Sequence, residues 1–92
     1  MKSKEARSNL DKLDYKMYQP GRTDGVFKYA ILEDAIVLIF HQSPNTYYLY
    51  DYLRPGRPYV RTMIKKAEAQ EGLNTYVTQV IKDKYTAKVT LE

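Results

Sequence analysis

The chain has 92 residues, ten of them tyrosine, with one histidine, no cysteine and a formal charge of +4. That length suits one domain with a small core. Without a thiol, no disulfide framework, thiolate metal site or nucleophilic cysteine is available. No stretch approaches the roughly 18–20 apolar residues that cross a bilayer, and the opening MKSKEARSNL lacks the apolar segment of a signal peptide. A cytoplasmic protein with no membrane association and no cofactor is expected.

The charge is uneven along the chain. Residues 1–25 carry a net +2, residues 26–52 a net −2 and residues 53–92 a net +4. The surplus is modest, and the longest basic run is the pair Lys65-Lys66. The terminal Leu91-Glu92 reads as a scar preceding a purification tag, outside the domain proper.

Residues 1–25 read as a polar lead, partly disordered. Residues 1–9 alternate charged with small polar groups and predict a mobile tail. Leu10, Leu13 and Met17 recur at helical spacing behind Ser8 or Asn9, predicting a short helix stopped by Pro20-Gly21. Tyr15 to Tyr18 could equally be extended. Residues 19–25, with two glycines and a proline, read as a loop.

From Val26 the domain proper begins and runs to about residue 90. VFKYAIL, AIVLIFH and TYYLYDY are apolar, β-branched and aromatic, and so predict three strands. Glu33-Asp34 and the Gln42–Asn45 segment separate them, which makes an antiparallel meander the simple solution. Ile36 to Phe40 is apolar at every position, as in a central strand covered by helices on one face and by the N-terminal segment on the other. In the third strand Tyr48, Tyr50 and Tyr52 share one face, and Tyr47, Leu49 and Asp51 the other. Which of the two faces the core is left open by the alternation.

Arg54-Pro55-Gly56-Arg57-Pro58 is a turn, and Pro58 suits the first turn of a helix. Val60, Met63, Ile64 and Ala67 form its apolar stripe and Gly72 its C-cap. Leu73, Tyr76, Val77, Val80 and Ile81 form the stripe of a second helix, with Asn74 as N-cap and Lys82 and Lys84 in its last turn. Tyr85 to Thr90 either adds a short edge strand or frays. The expected fold is thus α+β: a three-stranded antiparallel meander, two packed helices, and a flexible or weakly helical lead.

Two strands, the Tyr48-Leu49-Tyr50 motif, a helix, a glycine and a second helix ending in Ile81-Lys82-Asp83-Lys84-Tyr85 make residues 26–85 similar to the KTSC domain. Ala67, Gly72 and Asn74 fall in the same pattern. That domain is named for its occurrence at the C-terminus of some lysyl-tRNA synthetases, and it also occurs as small free-standing bacterial proteins. This chain departs from it at the Ser-Pro-Asn-Thr turn, where the family has a glycine, and in part between Glu71 and Tyr76. The resemblance implies the α+β fold and RNA binding, the role suggested for the family.

Catalysis has little to stand on. His41, two residues before Ser43, lacks an orienting acid and a glycine-rich elbow, and reads as a strand-end histidine. Glu33-Asp34 is an isolated turn pair, and the four glycines are scattered rather than gathered into a phosphate loop. Tyrosines interleaved with basic residues instead suit stacking and phosphate contact. Tyr48, Tyr50, Tyr52, Arg54, Arg57, Arg61 and Lys65 are therefore the candidate site for RNA or single-stranded nucleic acid, unless the tyrosines are simply core. The alternative is a protein partner, as for a small bacterial or phage adaptor. A strand at 46–52 pairing with its twin would then give a dimer.

Overall fold

The computed structural model describes residues 1–20 and 25–91. β1 (Lys16–Met17), β2 (Val26–Ile31), β3 (Ala35–Phe40), β4 (Ser43–Asp51) and β5 (Ala87–Thr90) form one antiparallel sheet in which each strand lies beside its sequence neighbour. The mixed α+β class holds, but the sheet has five strands rather than three. The other two are edge strands, too short to carry a period of their own, and they take up the extended alternatives at Tyr15 to Tyr18 and Tyr85 to Thr90. Pairing supplies what their residues do not: Lys16 meets Tyr29, and Val89 meets Tyr47. Because β5 pairs along Thr46–Leu49, β4 is an interior strand there rather than the free edge on which the dimer alternative rested.

β3 is apolar throughout because both its faces are covered. Ile36 and Leu38 enter a core with Tyr50 of β4 and with Val60, Met63, Ala67, Leu73, Val77 and Ile81 of the helical half. Val37 and Ala35 enter a second core with Ala30, Leu49 and the lead residues Ala6 and Leu10. The lead therefore belongs to the fold. It forms α1 (Ser3–Ala6) and a 3₁₀ turn at Leu10–Lys12 rather than one helix to Met17, which is 48% exposed on β1. The expected mobile tail is latched instead: the Ser3 hydroxyl donates to Asp51 Oδ2 at 2.7 Å, and the Ser3 N–H donates to Asp34 Oδ1 at 2.7 Å. Most of the predicted 19–25 loop, with the Gly21 stop, lies outside the described residues, as does Glu92 of the predicted scar. The Leu91 N–H continues the β5 ladder by donating to the Asn45 carbonyl at 2.8 Å.

The β3–β4 turn is tighter than the predicted Gln42–Asn45 separator: Phe40 pairs with Ser43, so β4 starts there. The register then shifts before Leu38 meets Tyr48, on the stretch holding Pro44, which has no N–H to give a ladder.

α2 (Arg57–Ala69) has Pro58 in its first turn and buries Val60, Met63 and Ala67, as its stripe requires. Its C-cap is Gln70 at φ 57°, not Gly72. A left-handed glutamine is held there by its own amide. Nε2 donates to the Met17 carbonyl at 3.2 Å and to the Tyr29 hydroxyl at 3.3 Å, while Oε1 accepts the Gln19 N–H at 2.6 Å. α3 (Leu73–Tyr76) follows, with Gly72 as N-cap. Asn74 is spent elsewhere, since its Oδ1 accepts the Val26 N–H at 2.7 Å. α3 widens into a π turn at Val77–Ile81, closed by the Lys82 N–H on the Val77 carbonyl at 2.6 Å. The wider turn keeps Leu73, Val77 and Ile81 inside and swings Val80 out to 41% exposure.

Candidate nucleic-acid interface

The alternation of β4 places Tyr48, Tyr50 and Tyr52 on the helix side and Tyr47 with Leu49 on the lead side. Tyr50 is 1% exposed, and burial pushes its hydroxyl above the ordinary tyrosine range. It fills the core and cannot stack on a base. Tyr48 and Tyr52 flank it, four residues apart and so about 13 Å along the strand. The predicted row is therefore divided into two half-buried rings with different neighbours.

Tyr48 belongs to an aromatic cluster. Its ring meets Phe40 edge-on at 5.1 Å and Tyr85 at 5.3 Å, and Tyr85 also meets Tyr50 at 6.3 Å. Lys88 faces Tyr48 in the β4–β5 register, and its Nζ stands 5.5 Å from the ring centroid. These residues, with Lys82 and Asp83, line a cleft of about 340 Å³ between the sheet and the end of the π turn. Lys82 adopts φ 55°, ψ −122°, and the Lys84 N–H donates to the Ile81 carbonyl at 3.1 Å. Ile81–Lys84 is thus a β-turn with a lysine at the first central position of type II′ geometry, where glycine is the unstrained choice.

Tyr52 lies at the other end. Its hydroxyl reaches the Glu33 carbonyl at 3.4 Å, and the Arg57 guanidinium stands 5.8 Å from its ring centroid. Arg54 is exposed in the loop after β4. Arg57, Arg61 and Lys65 recur every four residues as an exposed stripe on α2. Arg61 and Lys65 border a groove of about 670 Å³ with Ile31, Ile64 and Glu68. The candidate residues therefore do not form one site: Tyr48 goes with the cleft, Tyr50 with the core, and Tyr52 with the arginines.

Phe40 and Lys88 escaped the sequence reading because neither lies near the tyrosine run. The alternation of β3 puts Phe40 on the helix side, but only the β5 register brings Lys88 to Tyr48. Asp51 also emerges as an organiser, buried at 5% exposure. Its Oδ1 accepts the N–H groups of Leu53 at 3.0 Å and Arg54 at 3.1 Å.

His41 stacks on Phe27, ring centroids 4.6 Å apart, at the end of the β2–β3 ladder. Among the described residues no three His, Asp or Glu side chains gather as metal ligands would, and no helix is long and apolar enough to cross a membrane. No family model, curated protein or solved structure matches the chain.

Proposed function

We propose that the protein is a non-catalytic, cytoplasmic binding module that holds a short stretch of RNA or other single-stranded nucleic acid in the Tyr48 cleft. The observation carrying this reading is the coincidence of the Phe40, Tyr48 and Tyr85 rings with Lys82 and Lys88 in one cleft. Aromatic rings take bases by stacking whatever their sequence, and lysines take the phosphates between them. The strained backbone of Lys82 supports the same site: a non-glycine residue at such a φ and ψ costs about 1–3 kcal/mol, which is often tolerated where function needs the side chain. The similarity of residues 26–85 to the KTSC domain is part of this proposal, since Tyr48, Lys82 and Tyr85 lie in the motifs that carry it.

The test is titration of fluorescent RNA and DNA oligonucleotides at low and moderate salt. Wild-type protein should bind single strands with affinity that falls as salt rises. Tyr48→Ala should weaken binding by about 1–3 kcal/mol, the worth of one stacked base. Lys88→Ala should lower the slope of log K against log salt by about 0.7, the share of one phosphate on a single strand. Absence of binding at low salt would end the nucleic-acid reading.

A further inference from the structure

We propose that the loop from Asp51 to Gly56, with the first turn of α2, is a docking knob for a partner protein presenting acidic residues around an apolar anchor. Leu53 is 90% exposed in that loop, and Tyr59, in the first turn of α2, is 44% exposed. The fold makes no use of the Leu53 side chain, yet it holds that residue firmly. Asp51 Oδ1 accepts the Leu53 and Arg54 N–H groups, the Asp51 N–H donates to the Arg54 carbonyl at 3.0 Å, and the Gly56 N–H donates to the Asp51 carbonyl at 3.1 Å. The Ser3 hydroxyl secures the other oxygen of Asp51. A buried carboxylate thus stiffens a loop whose product is an exposed leucine. A knob ordered beforehand loses little freedom on binding, which is the condition for a small surface to bind well.

Charge selects the occupant. Arg54 follows Leu53 in the loop, Arg57 opens α2 over the Tyr52 ring, Arg61 lies one turn on, and a hollow of about 300 Å³ lined by Leu53 is bordered by Lys4 and Arg7. The two acids at that hollow, Asp34 and Asp51, are both engaged by Ser3. Arginine and tyrosine around an apolar residue match the composition of binding hot spots. A partner with carboxylates around an apolar side chain complements this surface, whereas a second copy would bring arginines against arginines. The knob lies past the end of β4 from the Tyr48 cleft, so this surface stands apart from the nucleic-acid reading.

The experiment follows backbone amide shifts of the full chain on adding a short synthetic peptide of aspartate and glutamate interrupted by leucines. Its controls are the same peptide with serine for leucine and a single-stranded RNA oligonucleotide. The leucine peptide should give saturable shifts at Leu53, Arg54, Arg57 and Tyr59. Leu53→Ser should weaken it at least about tenfold without altering Tm, and Arg54→Glu with Arg57→Glu should abolish it. No saturable shift, or equal binding of the serine peptide, would overturn the proposal. So would RNA shifts at this surface, or a wild-type dimer that Leu53→Ser dissolves.

Discussion

Two residues of the same chain show opposite uses of an awkward environment. Lys82 holds a backbone conformation meant for glycine, at the rim of the aromatic cleft. Lys82→Gly should raise stability by about 1 kcal/mol, and hence Tm by about 4–8 °C in a domain of this size, as read by thermal denaturation. The same variant should bind oligonucleotide more weakly, and a gain in stability with unchanged affinity would remove Lys82 from the site. Asp51 is the converse case: a charge taken out of water and fully employed, accepting from Ser3, Leu53 and Arg54. Asp51→Ala removes both acceptor oxygens and leaves the Leu53 and Arg54 N–H groups and the Ser3 hydroxyl without their partner. It should cost about 2–3 kcal/mol in chemical denaturation. Neither role is visible in the residue itself, since a lysine near a helix end and an aspartate closing a strand are ordinary features.

At the scale of elements, the lead illustrates what composition hides. Its polar alternation predicts mobility, yet Ser3, Ala6 and Leu10 are buried against β2, β3 and β4. Leu10→Ala should therefore cost about 2–5 kcal/mol in equilibrium unfolding, where a mobile tail would cost nothing. Three buried side chains over eight residues are too sparse to make a period, and what recruits them is the uncovered face of β3. The helical half behaves in the opposite way. The stripe of α2 was legible because Val60, Met63 and Ala67 recur at helical spacing over a long segment. Its ending was not legible, because the cap at Gln70 depends on Met17, Gln19 and Tyr29 from elsewhere in the chain. Gly25 marks a similar long-range contact, since a Cβ there would lie 2.8 Å from the Asn74 amide oxygen. Gly25→Ala should disturb the Asn74–Val26 hydrogen bond and cost about 1–3 kcal/mol by denaturant titration.

For the whole molecule, the abundance of tyrosine sets the response to alkali. Burial is the main cause that raises the hydroxyls of Tyr15 and Tyr50, with smaller contributions from neighbouring tyrosines and, at Tyr15, Asp11. In the unfolded chain both titrate near about 10, while the native state keeps them protonated. The unfolded state then binds fewer protons, so stability falls as pH rises above about 10 and is unaffected at neutrality. Denaturation followed from neutral to alkaline pH should show that fall. Tyr50→Phe should flatten it, and an unchanged profile would show that Tyr50 is not the linked group.

The sequence by itself determined the α+β class, the three inner strands, the position of α2 and the two-sided burial of β3. Each of these rests on a local period or an uninterrupted apolar run, and such patterns are written residue by residue. Only the tertiary structure decided the two edge strands, the docking of the lead and the division of the tyrosine row. β5 brings Lys88 to Tyr48, and the helical half closes over Tyr50 while leaving Tyr48 and Tyr52 half-buried. A period of two says that these tyrosines share a face; which face is covered, and by what, depends on segments distant in the chain.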